Sequence, residues 1–198
     1  MPASCQHQES QKYKIEVSSV AQIETSRFGT LTYNEEDLLF FPRGIPGFST
    51  LLHWVVSGEE ENPVKWLQSV DDSQVALPIT APHLVFPEYN AVITKDELED
   101  LENPATEHLI ILVVLTIPPE KPWDMTANLR APIVINTANH KAKQILLNEE
   151  EYPIRFYCFP EEKRTFFAQT AARNRAAEAE GEDVSAWAAP SGSEGNGS

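Results

Sequence analysis

Residues Met125–Asn136 read MTANLRAPIVIN. A β-branched run, Ile133, Val134 and Ile135, follows a polar, turn-prone lead-in that holds Asn128, Arg130 and Pro132. Branched side chains suit a pleated, half-buried strand, so the run predicts a short strand ending on Asn136. The lead-in carries no metal, phosphate or nucleophile signature. It points to a surface built for recognition rather than for bond chemistry.

Similar short apolar segments lie on both sides of this one. Glu107–Ile117 contains the unbroken run Leu109–Leu115 (LIILVVL) and predicts a central strand covered on both faces. Further strands are expected at Phe28–Tyr33, Leu38–Phe41, Leu52–Val56, Val64–Val70, Val75–Ile79, Tyr89–Ile93, Ala142–Leu147 and Ile154–Phe159. Leu38–Phe41 reads as the hairpin partner of Phe28–Tyr33 across the NEED turn at 34–37. Pro78 lacks a ladder donor and demotes its strand to an edge or a bulge. Tyr13–Val17 fits a short edge strand or a helical start. Thr94–Leu101 predicts a helix, because Thr94 and Glu97 form a capping box and Leu98 and Leu101 share a face. Short strands with turns at regular spacing, plus one short helix, predict a mainly β domain: a small antiparallel β-barrel or roll with flexible tails.

The expected organisation is a disordered tail at 1–20, a barrel domain at 21–160, and an Ala/Glu-rich extension at 161–198. That extension reads as part helix, around Phe166–Glu180, and part disordered. Fifteen prolines against eight glycines favour stiff turns over long helices.

The chain has 30 Asp and Glu against 15 Lys and Arg, a net charge of −15. This argues against direct nucleic-acid binding, which needs cations to replace phosphate counterions. It argues equally against docking on anionic membranes. An acidic body suits a cytoplasmic protein and a basic protein partner. Cys5 and Cys158 make neither a disulfide framework nor a zinc site. The first fifteen residues lack the apolar core of a signal peptide. The longest apolar run is too short to span a bilayer.

Chemistry is sparse. His7, His53, His83, His108 and His140 are scattered without ligand spacing, so no metal or cofactor is expected. In Pro42–Phe48 two prolines fix φ and two glycines permit positive φ, which predicts a rigid loop. Asp71 and Asp72 are the best acid/base candidates, with Glu88 a possible third carboxylate. Carboxylates at a hairpin end more often serve as turn formers. Trp54, Trp66, Phe40, Phe41 and Phe48 hold core-like positions. Trp123, in the proline-rich loop PPEKPW at 118–123, is a candidate binding anchor.

Taken in order, RFGTLTY (27–33), LLFFPRGIPGF (38–48), WLQSVDD (66–72), FPEY (86–89), VVLTIP (113–118), MTANLRAPIVIN (125–136) and QILL (144–147) resemble the flagellar assembly factor FliW family. The resemblance spans about residues 25–159. It implies a non-enzymatic cytoplasmic protein with a small β-barrel-like fold and no cofactor. It also implies two partners: flagellin, and the translational repressor CsrA, which cannot repress flagellin mRNA while held. Ile45, Pro46 and Phe48 are then expected to shape one loop. Asn128, Leu129, Arg130 and Asn136 would form a second recognition segment, with Trp123 beside it. Asp71 and Asp72 would contact basic partner residues. Asn128 and Asn136 have a second interpretation, as side chains that bond backbone at turns. Two alternatives stand: a flagellin chaperone without a translational role, and, more remotely, a carboxylate hydrolase using Asp71, Asp72 and Glu88.

Overall fold

Leu109–Thr116 is the strand through which the main sheet closes on itself. The computed structural model describes residues 19–148 and 151–180. The expectations for 1–18 and for 181–198 lie outside the described residues. The strands are β1 (Val20–Thr25), β2 (Gly29–Asn34), β3 (Leu39–Phe40), β4 (His53–Ser57), β5 (Lys65–Ser69), β6 (Ala76–Thr80), β7 (Leu109–Thr116), β8 (Thr126–Ala127), β9 (Ile133–Asn136), β10 (Lys141–Gln144) and β11 (Phe156–Tyr157). One helix, α1, runs from Glu161 to Glu180.

Seven of these strands form a ring in the order β7-β6-β5-β4-β3-β10-β9, and β9 returns to β7 through Ile110↔Ile135 and Leu112↔Ile133. The expected small β-barrel is therefore the fold. Its pairings are antiparallel except between β10 and β3, which meet in parallel at Lys141 and Phe40. The ring forms because each strand turns at least one apolar residue to the same side, and closure gives those side chains one shared interior. Leu39, Phe41, Trp54, Leu67, Ile79, Ile133, Ile135 and Ala142 fill it.

β7 is covered on its outer face as well. Val113 and Leu115 pack with Ala127 and Leu129 beneath Phe86, Tyr89, Tyr152 and Phe156. A third cluster sets Leu98 and Leu101 against Val134, Ile145 and Leu147. β8 and β11 extend the sheet beyond β7, pairing Leu115 with Ala127 and Ala127 with Phe156. β1 and β2 form a separate ribbon, joined to β5 by Phe28 edge-on to Trp66 and by Arg27 stacked 4.0 Å over the Trp66 ring.

Four local expectations change. Leu39–Phe40 pairs with β4 and β10, not with β2, because a 3₁₀ turn at Glu35–Asp37 redirects the chain into the barrel. β6 is an interior strand despite Pro78. Ser69 donates to the Val75 carbonyl, so the odd-numbered backbone of β6 faces β5 and the Pro78 nitrogen faces β7. There the β6–β7 ladder begins only at Ile79. Tyr89–Ile93 is not a strand. The Tyr89 hydroxyl donates to the Leu129 carbonyl, and the Asn90 N–H goes to the Tyr152 hydroxyl, so no ladder partner is taken. The capping box at Thr94 and Glu97 forms in both directions, at 2.7 and 3.3 Å, but the element it starts is a 3₁₀ helix, Asp96–Leu101. Left-handed Glu102 and Asn103 end it and lead into Pro104.

Candidate functional site

Strand directions sort the loops to two ends of the barrel. β3, β5, β7 and β10 run toward one end, and β4, β6 and β9 run away from it. The 41–52 loop, the 70–75 turn, the 117–125 loop and the start of β9 therefore share that end. Ile45, Pro46, Phe48, Asp71, Asp72 and Trp123 all belong to it. Asn136 ends β9 and lies at the opposite end.

The 42–48 loop is a plug with an exposed crest. Gly44 sits at φ +64°, where only glycine avoids strain, and a Cβ there would stand 2.6 Å from Ser49 Cα. Gly44 N–H donates to the Phe41 carbonyl, and Phe48 N–H closes the turn on the Ile45 carbonyl at 2.6 Å. Ile45 is thereby driven into the interior cluster at 3% exposure, and Phe48 packs edge-on against Trp54. Pro46 and Gly47 form the exposed crest. Ile45 and Phe48 shape the loop from below, and Pro46 presents it.

Asp71 and Asp72 do not converge on a common point through these bonds. Asp71 Oδ2 accepts the N–H groups of Leu52 and His53 at 2.6 and 2.8 Å, and its Oδ1 lies 3.0 Å from His53 Nδ1. Burial alone would raise its pKa. The His53 backbone and ring and the Leu52 N–H outweigh that effect and hold the carboxyl below the usual carboxylate range. Asp72 caps its own turn, accepting from Gln74 N–H at 3.0 Å, while its N–H goes to Ser69 Oγ. Both carboxylates organise the β5–β6 turn, and Asp71 ties it to the start of β4. Asp71 remains exposed at the rim.

The lead-in of MTANLRAPIVIN is an excursion beside β7. The Asn128 N–H bonds the Val114 carbonyl, and two β7 residues earlier Leu112 is paired by Ile133. The four residues between bulge outward and are held from every side. Asn128 Oδ1 accepts Ala131 N–H at 3.1 Å, Leu129 is fully buried, and Arg130 Nε donates to the Tyr152 carbonyl at 3.0 Å. Leu147 N–H bonds the Arg130 carbonyl, and Gln144 Nε2 bonds that of Ala131. Asn136 is 3% exposed and bonds the Leu101 carbonyl and the Ala138 N–H. Asn128 and Asn136 thus bond backbone at turns.

Trp123 sits in a 3₁₀ turn, Pro122–Asp124, half-buried beneath α1. Trp123, Phe159 and Phe167 line an apolar cavity of about 360 Å³. Arg164 clamps the helix there. Its Nη1 lies 3.3 Å from Asp124 Oδ1, and its guanidinium stacks 3.8 Å over Tyr157. Sequence periodicity gave no sign of this docking, because α1 has little apolar sidedness. Tyr152, which holds Asn90 and Arg130, was likewise not singled out; its place in an acidic turn gave no signal. Among the described residues no group of three His, Cys, Asp or Glu is placed to hold a metal ion. No described helix is long and apolar enough to cross a membrane.

The FliW protein family matches residues 22–158. The chain is 39% identical over 147 residues to the flagellar assembly factor FliW of Caldanaerobacter subterraneus, covering 73% of this chain and 97% of the relative. It is 38% identical over 141 residues to that of Thermotoga maritima, covering 71% and 95%. A crystal structure of the flagellar assembly factor FliW superposes with a TM-score of 0.66 at 32% identity, over 72% of this chain and 99% of that one. α1 begins beyond the matched segment.

Proposed function

The chain belongs to the FliW family, and from that premise we infer that it is a cytoplasmic flagellar assembly factor that works by binding proteins. Its partners are flagellin and the translational regulator CsrA. CsrA held by this protein no longer represses flagellin synthesis, and flagellin export frees the protein to hold CsrA. Synthesis is thereby coupled to secretion. The observation that carries this proposal is the family match across the whole barrel. The geometry agrees with a binding role: Asp71 and Asp72 are engaged by backbone donors rather than poised for proton transfer, which disfavours a hydrolase.

The partner-facing residues belong to the end that carries the 42–48 loop. Pro46, Asp71 and Asp72 offer a protruding crest beside carboxylates, which suits a basic partner and speeds encounter. Trp123 and Arg130 flank this end. Ile45, Phe48, Asn128, Leu129 and Asn136 contribute by holding the scaffold.

Titration of purified flagellin and CsrA separately against the full chain tests this function. Binding of both in the micromolar range or tighter is expected, with flagellin displacing CsrA. Binding to neither sinks the proposal. Binding to flagellin alone selects a dedicated chaperone without a translational role.

A further inference from the structure

β7 outruns one of the strands that flank it. On one side β9 pairs with it at every residue from Leu109 to Leu112. On the other side β6 meets only Val113 and Val114 before it ends at Thr80. The Thr137 N–H bonds the His108 carbonyl, so the even-numbered backbone of this stretch faces β9. The backbone of Leu109 and Ile111 therefore faces the side that β6 has left. A longer β6 would set Pro82 against Ile111. Pro82 has no N–H to give, and its carbonyl accepts from Val85 and Phe86 as the chain enters the 3₁₀ turn Pro82–Leu84. The Leu109 N–H closes on the Thr106 carbonyl. Among the described residues, the Leu109 carbonyl and both backbone groups of Ile111 find no hydrogen-bond partner.

A cavity of about 380 Å³ follows this edge. Ile110 and Leu112 point to one face of the sheet and Ile111 to the other, yet all three line it. The cavity thus borders the edge of the strand, not a face. Residues 81–83 and 89–91 supply the rest of its lining. At Ile110 it adjoins a second cavity at the barrel mouth, lined by Leu39, Val56 and Ile135. Ile110 is 45% and Val56 47% exposed. An unpaired apolar edge is a template for another strand, and proteins usually cover it or blunt it with charge.

The charge around it has one sign. The turns at Glu35–Asp37 and 59–61 and the entry to β7 at Glu107 share this end of the barrel. Lys65 is engaged by the Glu59 and Glu60 carbonyls, and Lys141 pairs with Glu102 at 2.8 Å.

We propose that β7 accepts an extended segment of a protein partner as an added strand along residues 109–111. The segment carries apolar side chains at alternate positions and Lys or Arg at its flanks. The free backbone groups supply hydrogen bonds, Ile110 and Val56 the apolar seat, and the acidic turns the attraction for the flanks. The wall formed by residues 81–91 leaves room for one strand and not for a second barrel. This surface lies at the end opposite the 42–48 loop, so it is separate from the partner face proposed above.

An NMR titration of the full-length chain with the capped peptide Lys-Val-Thr-Val-Thr-Val-Lys tests the edge. Shifts are expected at residues 109–112 and 81–91, with a dissociation constant below about 1 mM. The Ile111 amide should exchange at least about tenfold slower with peptide than without. Proline in place of the central valine removes a ladder donor, and glutamate in place of both lysines inverts the flanks. Each change should weaken binding at least about tenfold. Absence of shifts at Ile111 in several millimolar peptide overturns the proposal. An Ile111 amide already protected without peptide does so too, because the edge is then closed. Undiminished binding of the proline peptide reduces the site to an apolar contact and overturns strand addition. Undiminished binding of the glutamate peptide overturns the cationic flanks. Protection that grows with protein concentration alone assigns the edge to a second copy and likewise overturns the proposal.

Discussion

Asn136 Nδ2 donates to the Leu101 carbonyl across 2.9 Å, with both residues buried. This bond joins the end of β9 to the end of the 96–101 helix, and Asn136 Oδ1 simultaneously accepts the Ala138 N–H. Asn136→Ala leaves both backbone groups without this partner. Leaving a buried polar group unpaired costs about 1–3 kcal/mol. A loss of that size is expected in urea unfolding, with the m-value unchanged. A loss below about 0.5 kcal/mol would mean water or a neighbouring side chain takes over both bonds.

Asp71 sets part of the acid limb of stability. Its folded pKa is depressed, so its contribution is complete above the unfolded pKa of about 3.9 and is lost as pH falls through the folded value. Asp71→Asn should therefore reduce stability at pH 7 and flatten the decline below about pH 4. Melting curves of the two proteins should converge as pH drops. Parallel curves down to pH 2 would show that the carboxylate has no special folded environment.

The barrel was legible in the sequence because short apolar segments such as His53–Val56 and Leu112–Leu115, spaced by turns, have one good solution, a shared interior. Connectivity was less legible. Two residues, Leu39 and Phe40, cannot announce whether they pair with β2 or cross to β4, and a 3₁₀ turn decided it. Tyr89–Ile93 has strand composition, but the hydrogen bonds of Tyr89 and Asn90 reach Leu129 and Tyr152, 40 and 62 residues away. No local pattern reports such partners. The candidate site shows the same division. Gly44, Pro46 and Gly47 declare a rigid loop by backbone chemistry alone. Whether Leu129 or Asn136 faces solvent depends on what the rest of the chain lays over them. MTANLRAPIVIN stands out as a motif chiefly because its side chains hold neighbouring backbone.

Gly44 and Gly47 both have positive φ and differ in space. Alanine at Gly47 meets nothing within 4 Å, so it incurs only the left-handed backbone penalty, about 1–2 kcal/mol. Alanine at Gly44 also strikes the Ser49 backbone, and overpacking adds about 1–3 kcal/mol. Gly44→Ala should melt well below Gly47→Ala, and its Trp54 emission should shift as Ile45 and Phe48 are displaced. Equal losses would show that the 42–48 loop adjusts freely.

Burial pushes the Cys158 thiol up to about 11. Against an ordinary value near 9, its thiolate fraction at pH 8 is lower by roughly 100-fold. Alkylation of Cys158 by iodoacetamide, followed by mass spectrometry, should be slower than in guanidine-unfolded protein by a factor on the order of 100. A folded-state rate near the unfolded one would place the thiol in open solvent.

Arg164 is the residue on which the docking of α1 turns. It engages Asp124 and Tyr157 together, while Phe167 meets Phe159 at 5.8 Å and Phe166 stays 62% exposed. A partly exposed ion pair of this kind contributes on the order of 1 kcal/mol, and a cation–π contact at such a site about 0.5–1. Arg164→Ala removes both, and with little other apolar area the helix should release. Exchange in 161–177 should then rise about tenfold or more while the barrel melts unchanged. Trp123 should become more accessible to iodide quenching, because the helix is its cover. If Trp123 belongs to a partner surface, the same substitution should tighten flagellin or CsrA binding, and removal of residues 161–198 should do so equally. Tighter binding on truncation but not in Arg164→Ala would show that the helix stays docked without its arginine.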